Sequence, residues 1–301
     1  MKKLEKYYDL IQKDFPGFSV SSIKKIGEGD NSKAFIINKN YIFRFPKKEK
    51  VKRGIQREVC VLPKIKSTVG LPIPDFEFIS PELNFVGYPK IEGHILSKKI
   101  FRSFSKNQKI EIYKTLGDFL AQIHSFPLSN LEKCGLEAMN LKEEYSDNFD
   151  KAKKEIFPFI SKKKRKIISH FFNQYLDDEN NFKYAPALVH NDFSKDHILI
   201  NTVNKQISGI IDFGDIAAGD RFYDFLYLLD EFGKSFLKGV FRYYDNPLQK
   251  IPFAKIQFFS LANKVQIALE NLKENNDESR KESLKELNFF LRSLKYSLSF
   301  R

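Results

Sequence analysis

Residues 188–200 read LVHNDFSKDHILI, and residues 209–215 read GIIDFGD. In the first a cluster of His, Asn and Asp, and in the second a pair of Asp, stands against short apolar runs: Leu188-Val189, Ile198–Ile200 and Ile207–Ile211. Runs of that length and β-branched content predict strands of a small sheet. The sheet then presents two loops, 190–197 and 212–215, and their spacing of acids and histidines suggests catalysis.

Outward from this window the chain changes character. EKYYDLIQKDF spaces Tyr7, Leu10, Ile11 and Phe15 as one helical face, and Pro16-Gly17 ends it. Three β-rich runs follow, broken at Gly27–Asn31 and at the polar turn Asn38–Asn40. A helix is expected over 53–66, interrupted at Pro63, and further strands over 76–80 and 85–88. The phenylalanines at 15, 18, 35, 43, 45, 76, 78 and 85 fit alternate core positions of that sheet. Beyond a connector at 89–93 the pattern is helical: Ile112, Leu116, Phe119, Leu120 and Ile123 share a face, and 151–178 and 255–298 are helix-rich. The segment 272–296 is expected to form an amphipathic helix on the large lobe. With no internal repeat and no low-complexity linker, the division is 1–88, a hinge at 89–93, and 94–301.

The chain has 301 residues, enough for two lobes, and carries 51 Lys+Arg against 38 Asp+Glu, a formal charge of +13. Such a balance suits either an anionic partner or a lysine-rich solvated surface. The stretch from His190 to Glu231 opposes it, with eight carboxylates against three bases. Cys60 and Cys134 are too few for a disulfide framework and lack metal-ligand spacing, so a reducing cytoplasm is expected. No window reaches the roughly 18 apolar residues of a membrane span, and no aromatic-basic stripe suits stacking on single strands. Neither a membrane nor a nucleic acid is expected as a partner, and a monomer is expected.

Four features fall in a meaningful order. Gly27-Glu28-Gly29-Asp30-Asn31-Ser32 lies between two strands, where backbone N–H groups can approach phosphate oxygens, although a plain hairpin turn reads the same way. Arg44 on the next strand and Glu58 on the following helix can pair. His190-x-Asp192 precedes His197, and Asp212-Phe213-Gly214 follows one strand later. This set resembles the protein-kinase motifs. LVHNDFSKDHILI, GIIDFGD, YIFRFPK and FVGYPKIEGHIL resemble, more closely, the aminoglycoside phosphotransferases, in particular the bacterial enzymes acting on a 2''-hydroxyl.

The resemblance implies an α+β, protein-kinase-like two-lobed fold: a small antiparallel sheet with one helix, then a larger, mostly helical lobe. It implies transfer of the γ-phosphate of GTP or ATP to an aminoglycoside, with Mg²⁺ as cofactor. Asp192 is then the group that orients and deprotonates the hydroxyl. Asp212 and His197 hold the metal, His197 standing where protein kinases have asparagine. A ligating histidine must be unprotonated, so acid below about pH 6.5 is expected to weaken metal loading. A buried structural histidine is the alternative at 197, and His190 is expected to hold its loop by hydrogen bonds.

Nucleotide contacts are expected from Gly27, Gly29, Asp30, Asn31, Ser32, Arg44, Glu58, Tyr88, Pro89, Lys90 and Ile91. Arg44 replaces the usual lysine, with Lys47 as a second candidate. Tyr88 falls where a bulky aromatic accompanies a preference for GTP, or is simply core. Asp192, Asp220, Asp230 and Glu231 are expected to meet the polycationic substrate, and Asp224 to secure the catalytic loop. Lys195 and Asp196 are expected to face solvent. Two other functions fit: a kinase of another small amino alcohol or sugar, and an inactive kinase-like binding domain, against which the presence of both Asp192 and Asp212 argues.

Overall fold

The computed structural model describes residues 2–28, 32–244, 250–273 and 277–294. The chain starts with helix α1 (Lys2–Asp14), then strands β1 (Ile23–Glu28), β2 (Ser32–Ile37) and β3 (Tyr41–Pro46), helix α2 (Glu49–Ile65), and strands β4 (Phe78–Ile79) and β5 (Val86–Pro89). These strands form one antiparallel sheet in the order β1-β2-β3-β5-β4.

Strand periodicity sorts the side chains of this sheet. Phe35, Phe43, Phe45 and Phe85 form one core with Tyr7 and Ile11 of α1, and the Tyr7 ring meets Phe35 and Phe45 at centroid distances of 4.5 and 4.7 Å. Arg44, between Phe43 and Phe45, turns to the opposite face, where α2 lies. That helix is longer than expected at its start and runs through Pro63 instead of breaking. Val61, Leu62 and Ile65 around the proline are buried in the core of the other lobe, and this packing outweighs one lost hydrogen bond near a helix end. Only residues 78–79 of the expected 76–80 strand pair.

The second lobe contains β6 (His94–Ile95), α3 (Lys98–Arg102), α4 (Lys106–His124), α5 (Leu141–Glu155), α6 (Lys162–Leu176), β7 (Ala187–Val189), β8 (Ile198–Asn201), β9 (Gln206–Ile210), β10 (Ala217–Gly219), α7 (Leu226–Phe232), α8 (Lys234–Phe241), α9 (Phe253–Lys273) and α10 (Asp277–Leu294). Ser105 starts α4 with a reciprocal capping box to Gln108. Two small antiparallel sheets, β6-β8-β9 and β10-β7, lie among the helices. In α10, Leu287, Leu291 and Leu294 repeat at helical spacing and are buried, and the helix contacts α9 and α6 as its amphipathic pattern implied.

The two cysteines depart from expectation. Cys60 on α2 and Cys134, at the end of a 3-10 segment after α4, are joined as a disulfide with Cα atoms 5.4 Å apart. A separation of 74 residues hid the pair; the docking of α2 on the second lobe creates it.

Candidate active site

The loop between β7 and β8 carries His190, Asn191, Asp192 and His197. Asn191 has φ +68, a left-handed conformation that costs a non-glycine residue free energy and needs support from its surroundings. Asp224 supplies that support. Its carboxylate accepts from the His190 N–H at 2.8 Å and the Asn191 N–H at 2.8 Å, and lies 2.9 Å from His124 Nε2. The Asn191 side chain donates to the Asp215 carbonyl at 3.0 Å, tying this loop to the next.

His190 is fully buried and bridges the two loops. Its Nε2 lies 3.1 Å from the Ile211 carbonyl, and its Nδ1 accepts from the Asp192 N–H at 3.3 Å. Burial pushes its pKa down to about 4, so it stays neutral and holds the loop, as expected.

Asp212 also has a left-handed backbone, φ +63. The turn aims its carboxylate at His197, with Oδ2 3.5 Å from Nε2. His197 Nδ1 lies 2.8 Å from the Asp192 carbonyl oxygen, so Nδ1 carries the proton and Nε2 presents its lone pair to the Asp212 side. A backbone acceptor fixing one ring nitrogen is how proteins orient a ligating imidazole. Burial alone would raise the Asp212 pKa, but the charge of Arg44 holds it below the usual range.

Arg44 joins the lobes electrically. Its guanidinium makes two parallel bonds to Glu58, of 2.9 and 3.0 Å, and Nη2 lies 3.4 Å from Asp212. Two-pronged pairing needs the planar fork that a lysine lacks, and selects Arg44 over Lys47. Glu58 is fully buried; burial pushes its carboxyl up to about 7 against the pull of Arg44. Tyr88, paired with Ile42 in the strand register, is on the Arg44 face and is buried against Phe76. Helix α2 can approach the 212–215 turn because residue 54 is glycine. A Cβ there would stand 2.7 Å from the Gly214 carbonyl oxygen.

Of the turn between β1 and β2, Gly27 lies within β1, one residue before its end, and Ser32 starts β2; Gly29, Asp30 and Asn31 lie outside the described residues. In the connector, the Lys90 N–H donates to the Asn40 carbonyl at 2.7 Å and is directed into the sheet.

A cleft of about 1370 Å³ bounded by α7, α9 and α10 is lined by Tyr227, Asp230 and Glu231, and Tyr227 connects it to Asp192 by a hydrogen bond. Burial pushes the Asp192 pKa up to about 6, opposed by His197 and by a hydrogen bond from Tyr227. Tyr227 also accepts from Asn263 Nδ2 at 3.1 Å. Sequence reasoning missed Tyr227, Asn191 and Asn263; Tyr227, one helical turn before the carboxylates at 230 and 231, was the available signal. Replacing Tyr227 by phenylalanine is expected to lower turnover roughly tenfold, the worth of one hydrogen bond to a charged group. Losing a donor to the carboxylate raises its pKa, so the acid limb of kcat/KM should move to higher pH. An unmoved limb would reduce Tyr227 to packing.

The expected substrate carboxylates fare unequally. Asp220 is fully buried, accepts from the Phe222 N–H at 3.0 Å and pairs with Lys255. It caps a 3-10 turn and cannot meet a substrate, which corrects its assignment. Lys195, expected to face solvent, instead bonds Glu231 through both its backbone N–H (2.7 Å) and its Nζ (3.1 Å).

Comparison with known proteins agrees with this geometry. The family model described as "Phosphotransferase enzyme family" (APH) matches residues 22–254. The GDP and kanamycin complex of APH(2'')-IIIa superposes with TM-score 0.90 at 28% identity, over 96% of this chain and 99% of that chain. The GDP complex of wild-type aminoglycoside 2'-phosphotransferase-IIIa does so with TM-score 0.90 at 29% identity, over 96% and 98%. A macrolide 2'-phosphotransferase type I, 20% identical, shares the fold with TM-score 0.75 over 95% and 97%. With its kinase-like two-lobed fold and a family match over most of its length, the chain belongs to the APH phosphotransferase enzyme family.

Proposed function

We propose that this enzyme transfers the γ-phosphoryl group of GTP to an aminoglycoside, at the 2''-hydroxyl. The observation that carries the reading is the juxtaposition of Asp192, His197 and Asp212, with 3.5 Å separating each carboxylate from the imidazole between them. Its support from outside is that relatives at 28 and 29% identity were solved with GDP, one of them also with kanamycin.

Residues 1–88 bind the nucleotide, 89–93 form the hinge, and 94–301 hold the catalytic loop and the acceptor. Gly27 and Ser32 flank the phosphates with Gly29, Asp30 and Asn31. With the Lys90 N–H spent on Asn40, the Pro89 carbonyl and the Ile91 N–H face the base, and Tyr88 closes the back of its pocket and favours GTP over ATP. Glu58 holds Arg44 toward the phosphates.

Among the described residues no cluster of three or more His, Cys, Asp or Glu is arranged to hold a metal ion. Asp212 and His197 nevertheless fit Mg²⁺ as the two protein ligands of a site completed by triphosphate oxygens and water. A bound magnesium ion would neutralise charge on the phosphates. The substrate oxygen attacks the γ-phosphorus, the bond to the β–γ bridging oxygen breaks, and Asp192 accepts the hydroxyl proton as GDP departs. The protein's share is placement and charge, with the reacting groups aligned.

Among the described residues no helix is long and apolar enough to cross a membrane, and we take the enzyme to act as a cytoplasmic monomer, where its nucleotide is found and where Cys60 and Cys134 would be held as thiols. The test is nucleotide turnover with magnesium, GTP against ATP, with and without kanamycin or gentamicin. Antibiotic-stimulated turnover with GTP preferred is expected. Stimulation with ATP alone would remove the role of Tyr88, and no stimulation by any aminoglycoside would remove the acceptor.

A further inference from the structure

The acceptor cleft is chemically unlike what a polycation requires. Of the side chains lining it, six are Lys or Arg and four are Asp or Glu. The carboxylates expected to receive substrate amines already have partners. Glu231 is held through both oxygens by Lys195. Asp230 is faced by Lys264 at 3.6 Å, with side-chain exposures of 11% and 22%. Lys264 is further steadied over the Phe290 ring, its Nζ 5.6 Å from the centroid. Both partners of this pair line the open cleft, so Lys264 stands where an arriving ammonium group would pair with Asp230.

We propose that Lys264 is a specificity-determining residue that occupies the ammonium position beside Asp230. The inference rests on the phosphotransferase reading above and narrows its substrate class. An acceptor presenting an ammonium group at this position must displace Lys264 or meet its charge at close range. An acceptor presenting a hydroxyl there meets no such charge and leaves the ion pair in place. The cleft therefore favours aminoglycosides with few ammonium groups on the part that contacts α7 and α9. Lys264 acts through Asp230, so its effect on a cation depends on that carboxylate.

The experiment is steady-state turnover of GTP with kanamycin in the full-length wild type, in Lys264→Gln, and in the double variant Lys264→Gln with Asp230→Asn. The first substitution frees Asp230 and removes a like charge, so the KM for kanamycin is expected to fall about tenfold, a partly screened charge effect at short range. The KM for GTP, bound by the other lobe, serves as the internal control. The double variant should lose the gain. A kanamycin KM that is unchanged or raised in Lys264→Gln, while the wild type is active, overturns the proposal and leaves the phosphotransferase reading standing. So does a tenfold fall that persists in the double variant, since the lysine would then act by general repulsion. If kanamycin neither binds by calorimetry nor stimulates turnover in any of the three proteins, with GTP still bound, the phosphotransferase reading falls and the proposal falls with it.

Discussion

Replacing Asp192 by alanine should lower turnover by a factor of roughly 10² to 10⁴, the usual worth of a positioned general base, with nucleotide affinity nearly intact. Asp192 is placed for this by three contacts that do not involve the nucleotide: the N–H bond to His190, the carbonyl bond to His197 and the side-chain bond to Tyr227. Its pKa, pushed up by burial to about 6, gives the sign of the pH dependence. Above about 6 the carboxylate is ionised and accepts the hydroxyl proton; as pH falls through that value it is protonated and kcat/KM declines. The comparison is between nucleotide binding by calorimetry and single-turnover rates. A variant that loses GTP binding along with turnover would make Asp192 part of the nucleotide or metal site.

The second large effect is on stability. Asp224→Ala should destabilise the protein by about 3–5 kcal/mol, the usual cost of removing one member of a buried charged network. Asp224 is 1% exposed and serves two backbone N–H groups and His124 Nε2, each of which would lose its acceptor. Asp224→Asn keeps the shape but replaces one acceptor oxygen with a donor nitrogen, so it should recover only part of the loss. Urea unfolding midpoints decide the matter. A change below about 1 kcal/mol would mean that the left-handed Asn191 needs no such anchor.

Legibility followed locality. The catalytic loop and the Asp212 turn could be read because each lies between two short apolar runs, so spacing along the chain is spacing in space. Arg44 with Glu58 was legible for a similar reason: strand alternation puts Arg44 opposite two phenylalanines, and one helix follows. Asp224 was legible as a loop support from its place after the Asp220 turn.

What sequence could not supply depends on helices that meet late. The Lys255 that buries Asp220 and the Lys264 that faces Asp230 are both on α9, about 35 residues downstream of their partners. Asn263, which steadies Tyr227, is on the same helix. The start of α2 at Glu49 and its passage through Pro63 were set by docking on the other lobe, where propensity alone would have ended the helix.

The Cys60–Cys134 link gives the fold a topological property of its own. The polypeptide leaves the first lobe through residues 89–93, and the disulfide returns to it from the second, closing a covalent ring of chain through both. Two bodies joined at one point can swing about three axes; joined at two points, they retain one. In the oxidised protein the relative motion of the lobes is therefore restricted to rotation about the line between the connector and Cys60, with Glu58, two residues along the helix, close to it. The Arg44–Glu58 pair sits beside that line, so the tie that constrains the lobes also lies next to the ion pair that faces Asp212.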